Sequence, residues 1–191
     1  MEVLYADVSS YGSCFCLSAT VLDNKRLNKQ ILEAYQIYTD RVPTLNHPAC
    51  LMWANYKHYL RLYIRAMVEE YYLRFGKRHK VDKEMFQISR DWYMEQVLTI
   101  EKLPSVIDHP WIRLSHIVNL IRKDPDWYLP KLQSRFRFHA QILCKRVPAI
   151  DEFPEGYWWP VMPVGKKARA DKTAWEKFFN DCTMTWLAKP I

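Results

Sequence analysis

Glycine is almost absent from this chain, with four residues in 191. Gly-rich phosphate loops and dinucleotide-binding turns need several glycines at close spacing. Neither GxGxxG nor GxxxxGK[ST] occurs, so nucleotide-cofactor chemistry of those types is excluded. No apolar run approaches 18 residues, so no segment reads as a membrane span. The N-terminus has no basic stretch followed by an apolar core, so it does not read as a signal peptide. The five cysteines, Cys14, Cys16, Cys50, Cys144 and Cys182, are odd in number and form no CxxC pair. That usage fits a reduced cytoplasmic protein better than a disulfide framework. Cys14 and Cys16 lack the spacing of a common zinc motif, and no cofactor is expected.

Acidic residues are also in deficit. The chain carries 28 Lys and Arg against 21 Asp and Glu, a formal charge of +7. A basic excess favours polyanionic partners, nucleic acid first. Aromatic residues are plentiful, with 8 Trp and 12 Tyr. Stacking on bases and charge on phosphates are the two components of nucleic-acid binding, and both are supplied here. No obligate protein partner is implied.

Along the chain, Ser9, Ser10, Gly12 and Ser13 read as a loop. Residues 22–38 then alternate at helical spacing. Leu27, Ile31, Ala34, Tyr35 and Tyr38 form an apolar stripe, with Asp23 placed as an N-cap. Arg26, Lys29, Gln30, Glu33 and Gln36 occupy another side, so two cations and two amides surround one carboxylate. On pattern alone this is also an ordinary solvated helix face. Asn46-His47-Pro48 opens the next element, and the pattern predicts an unbroken helix from Pro48 to Phe75, with Gly76 as its terminator. Residues 76–83, GKRHKVDK, read as a basic loop, either a solvated turn or a phosphate contact. A helix is expected from Lys83 to Ile100.

His109-Pro110 starts another helix that Asp124-Pro125 ends. His116, Asn119 and Lys123 lie along one side of it and Ile117, Leu120 and Ile121 along another. Trp127 and Tyr128 follow. Arg135, Phe136, Arg137 and Phe138 alternate cation and ring, which suits a backbone-tracking surface or a half-buried segment. Residues 147–165 hold four of the eleven prolines and read as an ordered loop. Lys166, Lys167, Arg169 and Lys172 form a basic cluster at the start of a last helix expected from about Asp171 to Ala188. The fold class is all-α with room for two short strands: a compact single-domain helical bundle with one long central helix and irregular aromatic, Pro-rich loops.

Several blocks together carry a resemblance. F-x-x-S-A-x-x-L-D-x-x-R-L-x-K-Q-x-x-E-A-x-Q-I runs from Phe15 to Ile37, and NHPACLMW from Asn46 to Trp53. H-x-x-x-x-x-S-H-x-x-N-L-I-R-K-D-P-x-W-Y runs from His109 to Tyr128, and YWWPV from Tyr157 to Val161. The set resembles the bacterial and phage pyrimidine-dimer DNA glycosylases, related to the phage endonuclease V type. The resemblance implies an all-α enzyme acting at the N-glycosidic bond of a damaged pyrimidine in duplex DNA, with abasic-site lyase activity in some members. It implies residues 1–161 as the glycosylase-like domain and 162–191 as a basic extension packed on it.

The resemblance places Glu33 on the family's catalytic glutamate and the N-terminal amine, here of Met1, on its nucleophile. Glu2 is bulky, which predicts retention of Met1, and about ten extra residues precede the helix. Lys29, one turn before Glu33, is therefore a second candidate amine. The family's arginines beside the glutamate fall here on Leu32 and Gln36, leaving Arg26 and Lys29 to supply charge. Gln30, Asn46, His47, His109, His116, Asn119, Arg122, Lys123, Trp127 and Tyr128 are the further candidates for DNA or substrate contact.

The chemistry agrees. Cleaving a glycosidic bond builds positive charge on the sugar, which a carboxylate stabilises. An attacking amine must be unprotonated, and a carboxylate can move its proton. A base inside a duplex has to be exposed first, which suits aromatic wedges and a basic surface. Two other readings fit the residues: a nucleic-acid-binding protein that keeps the fold without the chemistry, and a metal-dependent nuclease built on His47, His109, His116 and a carboxylate.

Overall fold

A computed structural model of the chain describes residues 11–42, 50, 53, 56–86, 110–144, 149–152, 158–160 and 186–188. Among these residues it shows an all-α fold with one short strand pair. Contacts gather into two compact units that divide between residues 103 and 104.

In the first unit α1 spans Tyr11–Val21, α2 Asn24–Tyr38, α3 Lys57–Phe75 and α4 Lys80–Phe86. Helix α2 begins where the sequence predicts. The Asp23 carboxylate accepts the Arg26 N–H at 2.9 Å and also holds the Arg26 guanidinium. Such a cap contributes about 1 kcal/mol. Leu27, Ile31 and Ala34 are fully buried beneath it. Its far end closes in a left-handed turn at Asp40 (φ 56°), where the Asp40 and Arg41 N–H groups reach the carbonyls of Ile37 and Gln36.

Helix α3 packs against both α1 and α2. Tyr59, Leu60, Tyr63, Ile64 and Met67 are buried along it, facing Phe15 and Ala19 of α1 and the α2 stripe. It starts at Lys57, not Pro48, because Tyr56 departs from helical backbone at φ −121°, ψ 33°. It stops as expected at Gly76, whose φ of 64° suits glycine and whose N–H returns to the Tyr72 carbonyl.

The basic stretch after Gly76 is only partly loop. Helix α4 begins at Lys80, inside it, because His79 caps the helix. The His79 Nδ1 accepts the Val81 N–H at 3.2 Å, and Nε2 lies 3.1 Å from Asn28 Oδ1 on α2. Accepting at Nδ1 fixes a neutral ring that donates from Nε2. Of the helix expected over 83–100, residues beyond 86 lie outside those described.

In the second unit α5 spans Pro110–Lys123 and α6 Pro125–Cys144, packed on each other. Asp124 links them, accepting the Trp127 N–H at 3.1 Å, with Pro125 at the first helical position. Leu114, Ile117, Val118, Leu120 and Ile121 meet Tyr128, Leu132, Phe136 and Ala140. The Arg–Phe alternation is thus helical. Phe136 turns into the core and Phe138 outward at 52% exposure, because successive helical residues point about 100° apart.

Strands β1 (Trp158–Pro160) and β2 (Trp186–Ala188) pair antiparallel, with Trp159 opposite Leu187, and β1 packs on α5. These are the two short strands the sequence left room for. Of the helix expected from Asp171 to Ala188, residues 186–188 are strand, their backbone satisfied by pairing with β1, and residues 171–185 lie outside those described. The basic cluster at 166–172 lies outside the described residues.

Candidate functional site

The polar face of α2 carries a short chain of hydrogen bonds that ends on a carboxylate. The Tyr63 hydroxyl, fully buried on α3, donates to Gln30 Oε1 at 3.0 Å. This fixes the amide so that Gln30 Nε2 donates to Glu33 Oε2 at 3.3 Å. The other oxygen, Oε1, meets Lys29 Nζ at 3.4 Å. Phe15 of α1 braces the Tyr63 ring edge-on, with centroids 5.4 Å apart. Glu33 is therefore steered from the core yet remains open, with 41% of its side chain exposed. An ionised carboxylate offers about four acceptor positions, so capacity is left for a ligand. A group so arranged can stabilise a developing cation or move a proton.

Glu33, Gln30 and Lys29, expected from the sequence, thus stand together. Arg26 does not join them. Its guanidinium is held by Asp23 at the start of the helix, two turns from Glu33. Tyr63 is the member that sequence reasoning missed, since it falls inside the long helix expected from Pro48 to Phe75 with no role of its own. The signal was its hydroxyl, since a buried tyrosine needs a hydrogen-bond partner.

The remaining described candidates belong to the second unit. His116 and Asn119, expected on a polar row, are buried instead, at 5% and 9% exposure. The Asn119 amide donates back to the Ser115 carbonyl at 2.8 Å. Arg122 donates to the Ile150 carbonyl at 2.7 Å, tying the helix to the following turn. Lys123 is exposed at the helix end. Trp127 is half-buried under the Lys131 ammonium, 3.1 Å from its ring centroid. Tyr128, a candidate for either DNA contact or the core, is fully buried and belongs to the core. Met1, Asn46, His47 and His109 lie outside the described residues.

Burial pushes the His116 imidazole down to about 3, and burial also lowers His79. Both rings are neutral when folded and take up protons more readily when unfolded. Their contribution to stability is therefore complete above about pH 6.5. It is lost as pH falls toward the folded values. For His116 the loss reaches roughly 3 kcal/mol by about pH 4.5, at about 1.4 kcal/mol per unit. Urea unfolding across that range should show this slope, and His116→Gln should flatten it.

Among the described residues no three His, Cys, Asp or Glu side chains are grouped to hold a metal, and Cys16 and Cys50 are free thiols. No helix among them is long and apolar enough to cross a membrane.

The model of the pyrimidine dimer DNA glycosylase family matches residues 14–85. That segment contains most of α1, all of α2 and α3 and all but the last residue of α4, so the whole Tyr63–Gln30–Glu33–Lys29 chain lies inside it. No curated protein and no solved structure matches the chain.

Proposed function

We propose that the protein is a DNA glycosylase that releases a damaged or modified pyrimidine, a pyrimidine dimer first, using Glu33 as its reacting carboxylate. The observation that carries the reading is the half-open Glu33, held by Gln30 and Tyr63 inside the segment that matches the glycosylase family. An ionised Glu33 opposes the positive charge that grows on the deoxyribose as the base departs. Held by fixed donors, it needs no rearrangement as that charge develops.

Lys29 supplies an amine beside the carboxylate. In the lyase branch of the reaction, an unprotonated amine attacks the sugar C1′ and the base leaves with the bonding electrons. Glu33 takes one proton from the attached amine and passes it to the ring oxygen as the sugar ring opens, and loss of the second amine proton, balanced by protonation of the departed base, gives an imine. The N-terminal amine can take the same part, and water replaces either amine in a glycosylase without lyase activity.

Borohydride reduces an imine to a stable covalent adduct. Trapping in EDTA is expected to yield such an adduct on a duplex with a pyrimidine dimer, together with cleavage of the glycosidic bond, and an adduct alone on a duplex with an abasic site. Its loss in Lys29→Ala assigns the amine to Lys29, whereas its loss on blocking the N-terminus assigns it there. Base release without an adduct leaves water as the nucleophile. If neither substrate gives base release or an adduct, the glycosylase reading fails.

A further inference from the structure

We infer that Lys25, Lys77, Lys80 and Lys83 form a rail for the phosphodiester backbone of duplex DNA, running beside the Glu33 face. This rests on the reading of Glu33 as the reacting carboxylate, and it takes the phosphate-contact reading of the basic stretch 76–83 and joins it to Lys25 of α2.

Two hydrogen bonds set α4 alongside α2. His79, capping α4, meets Asn28, and the Tyr35 hydroxyl donates to the Glu84 carboxylate. The pairs 28–79 and 35–84 advance together, so the two helices run in the same direction. Around α2, Tyr35 falls within about 20° of Asn28, so α4 covers that sector. Lys25 follows about 60° round, Lys29 about 100° and Glu33 about 140°. The strip bearing Glu33 is thus bordered on one side by Lys25 and then by α4.

Lys80 lies four residues before Glu84 and shares its side of α4, the side that meets α2. Lys83 is one turn further along α4, and Lys77 lies in the turn that precedes it. All four lysines are exposed, and among the described residues none has an ion-pair partner. The neighbouring acids are occupied elsewhere: Asp82 by Arg78 at 3.7 Å, Glu84 by Tyr35, Glu70 by Arg74 and Glu33 by Lys29. Four exposed lysines without an ion-pair partner among the described residues match a row of phosphates. Tyr72, Leu73 and Phe75, at 52%, 77% and 39% exposure, end α3 just before the rail. They offer apolar contact to sugars beside it.

The test is binding of an undamaged DNA duplex at several salt concentrations by the wild type and by a variant with all four lysines changed to alanine. Each phosphate contact removed should lower the slope of log K against log salt by about 0.9. The slope is therefore expected to fall by about 3 to 4, with affinity at about 0.1 M salt down at least tenfold. Arg65→Ala, which removes a cation already paired to Glu69, should leave the slope unchanged. Equal thermal midpoints check that the four-lysine variant is folded.

An unchanged slope and affinity in that variant would overturn the rail, whatever the wild type does to damaged DNA. Equally tight binding of poly-glutamate by the wild type would overturn the assignment to nucleic acid. Loss of duplex binding in the variant, with no base release by the wild type, would keep the rail and remove the glycosylase reading.

Discussion

Glu33→Gln is expected to lower base release by about 10³-fold while leaving duplex affinity and stability almost unchanged. A positioned proton-transfer group contributes about 10²–10⁴-fold, and a charge aimed at the transition state about 10²–10³-fold. Glutamine keeps the shape of the side chain and an oxygen that can accept the Gln30 amide. It removes the charge opposite the sugar and the proton acceptor. The lost Lys29 ion pair is an exposed helical pair, worth about 0.2–0.5 kcal/mol. Activity and stability therefore respond on different scales, which separates chemistry from folding. Single-turnover base release, measured beside duplex binding, reads both. Tyr63→Phe should give a smaller loss, about tenfold or about 1.4 kcal/mol, because Gln30 Oε1 then loses the Tyr63 donor that orients its amide while the carboxylate remains. A Glu33→Gln protein that still releases base at the wild-type rate would remove Glu33 from the mechanism.

Why α2 was legible and its partners were not follows from the range of the interactions. Leu27, Ile31 and Ala34 recur at helical spacing, and Asp23 caps its own helix three residues away, so every signal is local. Gly76 and Pro125 mark ends through backbone properties of single residues. Helix α6 hid behind the alternating Arg135–Phe138 run, although Tyr128, Leu132, Phe136 and Ala140 repeat every fourth residue and were available. His79 read as one cation in a basic loop, because its cap needs the ring turned back onto Val81 and against Asn28, 51 residues away. His116 and Asn119 read as a polar row because a buried histidine and a back-bonded asparagine look, in sequence, like surface. Tyr63 to Gln30 crosses 33 residues, so the support of the carboxylate had no sequence pattern at all.

Arg74 shows the largest structural effect of such a long-range contact, and Arg74→Ala is expected to cost about 3 kcal/mol. Its guanidinium on α3 joins the end of α1 to the start of α2. One terminal nitrogen donates to the Leu22 carbonyl at 2.5 Å and to Asn24 Oδ1 at 3.2 Å, and the other to the Ala19 and Thr20 carbonyls, both at 3.0 Å. The third nitrogen, Nε, donates to Glu70 Oε1 at 2.6 Å. The last carbonyls of a helix have no partner within it and carry its negative end. A guanidinium answers both needs at once. Truncation to alanine leaves those carbonyls short of donors and Glu70, with 15% of its side chain exposed, without its cation. Lysine has one nitrogen where arginine has a rigid fork, so Arg74→Lys should recover only part of the loss. Thermal unfolding should fall by roughly 6–12 °C in Arg74→Ala, at about 2–4 °C per kcal/mol for a chain of this size. Removing Glu70 as well should restore part of it, because the stranded carboxylate is then gone. Since the clamp fixes the turn from which α2 sets out, Arg74→Lys should also slow base release at temperatures where the protein is fully folded. A folded Arg74→Lys protein with the wild-type rate would show that the site on α2 is positioned by α3 packing and the Tyr63–Gln30 contact alone.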